Sequence, residues 1–172
     1  MNILYEFGSY GPLLLIVLSW YVLWEYKTLF FYYNVGLVSN SILNVILKGI
    51  IQEPRPMFDS KKVHLAKTHG KEYFFQNGIP FDIFGMPSGH AQMSFFTTMF
   101  TYLSLRNNNL LYLFLLISLL ICYQRVKYEF HSISQVIIGA AVGSVIGYMF
   151  YLLAGEKIKG IIKEKPDDDG PI

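Results

Sequence analysis

Three short pieces of the chain, far apart in sequence, carry residue types that could bind and cleave a phosphate. They are Lys48 with Arg55-Pro56, then Pro87-Ser88-Gly89-His90, then Arg125 with His131. A guanidinium matches the spacing of phosphate oxygens, and an imidazole is able to donate a proton or attack phosphorus. Together the pieces predict a phosphate site that contains its own proton donor and its own nucleophile.

The first piece supplies cations. Arg55 lies between two prolines, which restrict the backbone and leave the guanidinium little conformational freedom to lose on binding. Lys48 follows Asn40 and Asn44 at four-residue spacing, so a polar stripe leads along a helix to its ammonium group. The alternative for Lys48 is a lysine that extends from a helix end to the membrane surface.

The second piece is typical of a helix that begins at an anion. Ser88 is the expected N-cap, and Gly89 lets the backbone approach a ligand closely. Unpaired N–H groups and the helix dipole attract an anion at such a helix start. His90 would then stand beside the phosphate, where it could protonate a leaving oxygen. The alternative is an ordinary helix cap followed by a histidine at the membrane surface.

The third piece places a histidine on a close-packed helix face. Gln135 follows His131 by one turn, so its amide oxygen is in reach of an imidazole N–H. The same face continues through Gly139, Gly143 and Gly147, and this spacing of small residues marks a tight helix contact. We therefore expect His131 to point into the bundle as a nucleophile that forms a phosphohistidine. The alternative is a structural histidine at the interface.

Composition indicates an integral membrane protein. The chain has 172 residues, of which 53% are hydrophobic and 15% are charged. The net charge of +2, with basic residues spread along loops, excludes a nucleic-acid-binding protein. Five stretches of 18 to 24 residues lack Asp, Glu, Lys and Arg, and about 20 apolar residues span a bilayer core as a helix. We predict five spans: Phe7–Trp24, Thr28–Leu47, Ile83–Leu105, Asn107–Gln124 and Ser132–Gly155.

The span count has a topological consequence for the three pieces. Lys48 follows span two, His90 begins span three, Arg125 follows span four and His131 precedes span five. Antiparallel threading therefore brings all of them to one face of the membrane. We expect one membrane-embedded domain over residues 1–155, with a polar connection at 52–82, and a disordered polar tail at 156–172.

The side of the membrane that holds the site is predicted from the basic residues. Cations near the spans favour the cytoplasmic side. The face opposite the site carries Lys27, Arg106, Lys157, Lys159, Lys163 and Lys165. Four lysines of the polar connection oppose this assignment: Lys61, Lys62, Lys67 and Lys71. The balance favours a site that faces the lumen or the exterior.

No metal or other cofactor is expected at the site. The cations of the three pieces would repel a divalent ion. His64 and His69 lie close in sequence but lack carboxylate or thiolate partners in a spacing that binds metal.

The three pieces resemble the signature motifs of the type 2 phosphatidic acid phosphatase superfamily, which also includes vanadium haloperoxidases. The resemblance is carried by Lys48-x6-Arg55-Pro56, Pro87-Ser88-Gly89-His90 and Arg125-x5-His131, and it covers about half of the chain. The residues around the motifs look like the dolichyl-diphosphate phosphatase branch. Those segments are Ile51–Pro56, Gly85–Gln92 and Arg125–Val136.

The resemblance implies an all-α, multi-pass transmembrane bundle with a haloperoxidase-like core, which usually has six spans. It implies that the protein removes one phosphate from a polyprenyl diphosphate at the lumenal face of the endoplasmic reticulum. His131 would attack, His90 would protonate the leaving group and Gln135 would orient His131. The residues implied to hold the phosphate are Lys48, Arg55, Ser88, Gly89 and Arg125.

Two residues depart from the general family pattern. Gln124 stands where a serine precedes the arginine of the third motif, and Gln135 stands where an aspartate follows the nucleophile. A neutral amide is able to orient His131 but does not stabilise a cationic ring as a carboxylate does. The dolichyl branch is similar to this chain in having glutamine at the second position, so that departure is interpreted as a marker of the branch.

Two other functions remain open from the sequence. One is a phosphatidate or lipid-phosphate phosphatase of broad specificity. The other is a lipid-binding membrane protein without catalytic activity, which the neutral Gln135 would suit.

Overall fold

The computed structural model describes residues 3–56 and 83–158. Within these ranges the chain forms five α-helices, and the only β contact is an isolated bridge. The helices are α1 (Ile3–Leu23), α2 (Lys27–Ile51), α3 (Gly89–Leu105), α4 (Asn108–Lys127) and α5 (Ile133–Ile158). The prediction of an all-α bundle of about five apolar helices is confirmed.

Four of the five helices, α1, α2, α4 and α5, are long and apolar enough to cross a membrane by length and composition. The chain is thus a multi-pass membrane protein. Helix α3 differs because it has 17 residues, which corresponds to about 26 Å against a bilayer core of about 30 Å. The third predicted span began at Ile83, but the helix begins at Gly89, after a turn that belongs to the site.

Helix α3 carries a polar face because other helices surround it. Its buried residues include several hydroxyl side chains, and a buried hydroxyl needs a hydrogen-bond partner where water is absent. Each of three threonines finds that partner on a different helix: Thr97 with Tyr33 of α2 (3.2 Å), Thr98 with Ser118 of α4 (3.0 Å) and Thr101 with Ser19 of α1 (3.0 Å).

Helix α5 packs directly onto the backbone of α3 along the predicted glycine face. A Cβ at Gly139 would lie 2.6 Å from the Ser88 carbonyl oxygen, and one at Gly147 would lie 2.7 Å from that of Phe96. Gly143 also abuts the α3 backbone. The absence of side chains lets the two helices approach closely, as the small-residue spacing predicted. This contact fixes the start of α5 against the start of α3.

Helix α1 packs on α4 in a similar way. Gly8 faces the side chain of Gln124, and Gly11 faces Ile121. The Gln124 amide donates to the Tyr5 carbonyl at 3.3 Å. The first departure from the family pattern therefore has a structural explanation, because this glutamine joins two helices.

One apolar cluster lies toward the end of the bundle away from the three motifs, and a second joins α1 to α4. The first gathers the end of α1, the start of α2, the second half of α3 and the end of α5: Leu23, Leu29, Tyr33, Phe96, Phe100 and Ala154. Helix α5 continues to Ile158, three residues beyond the predicted span. Most of the polar connection and of the tail lies outside the described residues.

Candidate active site

The first two motifs are joined by a short antiparallel contact. Helix α2 ends at Ile51, and Gln52 takes a left-handed conformation (φ 52°) that turns the chain back over the bundle. The Arg55 amide then donates to the Ile83 carbonyl at 3.1 Å, and the Gly85 amide donates to the Glu53 carbonyl at 2.7 Å. Arg55 is thereby held beside the turn that leads into α3.

A network of buried amides joins this turn to α2. Gln92 of α3 donates to the backbone and side-chain oxygens of Asn40, at 3.0 and 2.9 Å. Asn44 donates to the Gln92 side chain at 2.8 Å and to the Pro87 carbonyl at 3.2 Å. Lys48 follows Asn44 by one turn and is 6% exposed, so its ammonium lies at the same end of the bundle as the turn.

Gln135 is the junction between the first and third motifs. Its Nε2 donates to Glu53 Oε1 and to the Pro54 carbonyl, both at 2.8 Å. Its Oε1 lies 3.2 Å from the Ser132 amide and 3.1 Å from His131 Nδ1. The same residue also accepts, through its backbone carbonyl, the amide of Ser88 at 3.0 Å.

These contacts determine which nitrogen of His131 carries a proton. The Pro54 carbonyl only accepts and the Ser132 amide only donates, so the Gln135 side chain has one consistent orientation. Its oxygen faces His131, and Nδ1 must therefore be the protonated nitrogen. The lone pair of Nε2 is then available for attack on an electrophile.

His131 lies among the cations of all three motifs. The side chain is 2% exposed. Burial first, and then the positive charges of Arg55, Arg125 and Lys48, lower the pKa of His131 to about 3 from its ordinary 6.5. The ring is therefore neutral near pH 7, as a nitrogen nucleophile must be.

His90 lies within the electrostatic reach of the same cations, Arg125, Arg55 and Lys48. It is half-buried in the first turn of α3, close to the backbone of Ser9 in α1. Both imidazoles thus lie around one cationic centre, on the face that the span count predicted.

Arg125 is positioned by aromatic rings. Its guanidinium carbon lies 4.2 Å from the centre of the Phe130 ring, in a cation–π contact. Tyr5 of α1 meets the Phe130 ring at 5.9 Å and the Tyr128 ring at 5.4 Å. The Arg125 carbonyl also accepts the amide of His131 at 3.1 Å. The loop between α4 and α5 therefore holds Arg125 and His131 together.

Ser88 occupies the N-cap position of α3 as predicted, but its side chain makes no capping hydrogen bond. The hydroxyl is fully buried, and among residues 3–56 and 83–158 it has no hydrogen-bond partner. Arg125 Nε is likewise buried without a partner in those ranges. Two unused donors, the open helix start and the surrounding cations suit an anion such as phosphate.

A metal site is not found in the part of the chain that the structure describes, where no three His, Cys, Asp or Glu side chains are grouped. The two histidines considered in the sequence, His64 and His69, lie outside the described residues.

Two contributors to the site were missed by the sequence analysis. Glu53 has no role that its motif alone indicates, but its carboxylate holds Gln135. Gln92 likewise has none, but its amide joins α2 to α3. One signal was available for Gln92: it is a polar residue two positions after His90, within a helix predicted to lie in the membrane.

Comparison with known proteins adds a family. The model of the PAP2 superfamily matches residues 29–159. Dolichyldiphosphatase of Saccharomyces cerevisiae is 30% identical over 90% of this chain and 64% of its own length. Dolichyldiphosphatase 1 of Homo sapiens is 29% identical over 70% of this chain and 51% of its own length.

A plant protein is similar at the same level. Lipid phosphate phosphatase epsilon 2, chloroplastic, of Arabidopsis thaliana is 32% identical over 69% of this chain and 37% of its own length. The chain thus spans between about a third and two thirds of these relatives. No solved structure matches the chain significantly.

Proposed function

Because the chain belongs to the PAP2 superfamily, we propose that it is a membrane phosphatase that converts a polyprenyl (dolichyl) diphosphate to the monophosphate and phosphate. The observation that carries the proposal is the convergence of Arg55, Arg125 and Lys48 on one buried, neutral imidazole, that of His131. Cations around a neutral nucleophile are what transfer of a phosphoryl group requires.

The first chemical step is attack on the terminal phosphorus. The lone pair of His131 Nε2 forms the N–P bond while the bond from that phosphorus to the bridging oxygen breaks. His90, which takes up a proton once the anionic diphosphate offsets the surrounding cations, gives that proton to the bridging oxygen, and the lipid leaves as its monophosphate. Arg55, Arg125 and Lys48 stabilise the charge on the phosphoryl oxygens, with hydrogen bonds from Ser88 and the Gly89 amide.

The second step releases phosphate. Water attacks the phosphorus of the phosphohistidine and gives a proton to His90, while the N–P bond breaks and its electron pair returns to Nε2. Gln135 keeps the Nδ1 proton in place throughout. Each group then has its starting protonation state. This sequence of steps uses no metal, because protein cations stabilise the transferred group.

The choice of a diphosphate substrate is supported by two relatives named dolichyldiphosphatase, from yeast and human. From the resemblance of the motifs to the dolichyl branch we place the site at the lumenal face of the endoplasmic reticulum, and the basic residues Lys27, Arg106 and Lys157 at the opposite ends of the helices support this side. The second candidate is a lipid phosphate phosphatase of broader specificity, which the Arabidopsis relative favours.

The test compares substrates and variants in detergent. Wild type and His131→Ala are assayed for phosphate release from dolichyl diphosphate and from phosphatidate, with EDTA present. We expect preference for the diphosphate in wild type, no turnover in the variant, and equal elution from size exclusion for both. Preference for phosphatidate would favour the second candidate. Turnover by a folded His131→Ala variant would reject the mechanism, and inactivity of wild type on both lipids would favour a non-catalytic lipid-binding protein.

A further inference from the structure

Glu53 places a carboxylate directly behind the side chain that orients His131. It is half-buried, and its backbone carbonyl is tied to the Gly85 amide at 2.7 Å. Its Oε1 accepts from Gln135 Nε2 at 2.8 Å. The carboxylate is thus held by both its main chain and its side chain, at the edge of the cationic centre.

A continuous line of hydrogen bonds runs from this carboxylate to the imidazole. Glu53 Oε1 accepts from Gln135 Nε2, and Gln135 Oε1 accepts from His131 Nδ1 at 3.1 Å. An amide that donates to a carboxylate is polarised, so its oxygen becomes more negative and a stronger acceptor. The neutral Gln135 therefore presents more negative charge to the ring than an isolated amide would.

We propose that Glu53 is a positioning residue for catalysis, which acts through Gln135 to stabilise the positive ring formed when His131 binds phosphorus. The proposal rests on the proposed function and adds one residue to it. Formation of the N–P bond makes the ring cationic while Nδ1 keeps its proton. No proton passes along the line; the amide transmits polarisation only.

The cations around the site make such a contribution useful. The charges of Arg55, Arg125 and Lys48 act on His131 and disfavour positive charge on its ring. These cations assist formation of the N–P bond by stabilising the phosphoryl oxygens. They also oppose it, because the same step makes the His131 ring positive. A carboxylate behind Gln135 offsets this opposition without approaching the phosphate oxygens itself.

Glu53→Gln removes the negative charge of the side chain at position 53 and keeps its shape. The amide oxygen at position 53 accepts the same hydrogen bond from Gln135, but the negative charge is lost. We expect kcat on dolichyl diphosphate to fall about 5- to 20-fold, because a charge-assisted hydrogen bond is roughly twice as strong as a neutral one. KM is expected to change less than about twofold, since Glu53 does not touch the substrate. Glu25→Gln, an exposed change at the other end of the bundle, is the matched control.

A second measurement distinguishes charge from geometry. In protein labelled with 15N-histidine, the shifts of His131 report which nitrogen carries the proton. We expect protonated Nδ1 in wild type and in Glu53→Gln, and loss of this preference in Gln135→Ala. An altered tautomer in Glu53→Gln would mean that the residue acts through geometry, which overturns the proposal.

The failure of this inference differs from the failure of the proposed function. If His131→Ala is inactive while Glu53→Gln keeps the kcat of wild type, the function stands and the role of Glu53 is refuted. A rise in KM that accounts for the whole loss in kcat/KM would also refute it. If His131→Ala retains turnover, the proposed function itself fails.

Discussion

For the substitution Gln135→Glu, the chemistry of the His131 ring and the hydrogen bonds of the structure predict opposite effects on activity. By chemistry alone, a carboxylate next to His131 should stabilise a cationic ring better than an amide does. In the structure, however, the amide nitrogen donates to two acceptors, Glu53 Oε1 and the Pro54 carbonyl. A carboxylate has no donor for either, so we expect the variant to be less stable and less active.

The size of the effect follows from those two contacts. Both are 2.8 Å long and partly buried, so each acceptor left unsatisfied costs about 1–2 kcal/mol, the lower part of the range for buried groups. The loss is therefore about 2–4 kcal/mol before any repulsion between the carboxylates at positions 53 and 135. For a chain of this size, about 2–4 °C of melting temperature correspond to each kcal/mol, so a fall of about 4–16 °C is expected.

The assay is a thermal melt in detergent, followed by turnover of dolichyl diphosphate at a temperature where the variant is folded. Adding Glu53→Gln to Gln135→Glu should recover part of the stability, because the amide at position 53 is able to donate to the new carboxylate. Gln135→Glu with the melting temperature and turnover of wild type would refute the assignment of the amide nitrogen to those two acceptors.

Three further outcomes are expected. Gly143→Ala should lower the melting temperature by at least about 5 °C, because the new Cβ meets the Gln92 backbone. Gly155→Ala is the control, because a Cβ there has nothing within 4 Å and should leave the melting temperature unchanged. Equal melting temperatures for the two variants would contradict the close contact of α3 with α5. Ser88→Ala should leave stability unchanged, since the Ser88 hydroxyl has no partner in residues 3–56 and 83–158. It should raise KM about five- to tenfold, because a hydrogen bond to the phosphate is lost. An unchanged KM would exclude contact between this hydroxyl and the phosphate. Because the pKa of His131 falls from 6.5 to about 3 on folding, the unfolded chain binds more protons, and stability should decline as pH falls from about 6.5 to 3. Melts of wild type and His131→Gln across that range measure this, and equal declines would contradict it.

Features that depend on local spacing could be predicted from the sequence. The position of Gln135 one turn after His131 follows from helix geometry, and so does the glycine face of α5. The placement of Lys48 and His90 at one end of the bundle required only the number of spans. These predictions succeeded because the contacts are fixed by a few neighbouring residues and by the thickness of a membrane.

Contacts between distant parts of the chain could not be predicted in the same way. Glu53 and Gln135 are 82 residues apart, and Asn40 and Gln92 are 52 apart. Their pairing depends on how α2, α3 and α5 lie against one another, which no local pattern encodes. For the same reason the sequence predicted the position of Ser88 but not its hydrogen bonding. Its position at the helix start is local, whereas the direction of its hydroxyl depends on the surrounding helices.

The way Arg125 is held leaves its charge available to a substrate. An arginine paired with a carboxylate within the protein has part of its charge neutralised before a ligand arrives. Arg125 instead contacts the face of Phe130, which orients the guanidinium while leaving its charge uncompensated by that contact. The turn before α3 is likewise fixed by neutral amides, those of Asn44 and Gln92. The Glu53 carboxylate accepts from an amide, that of Gln135, so Arg125 and the turn before α3 are both positioned by contacts with neutral groups.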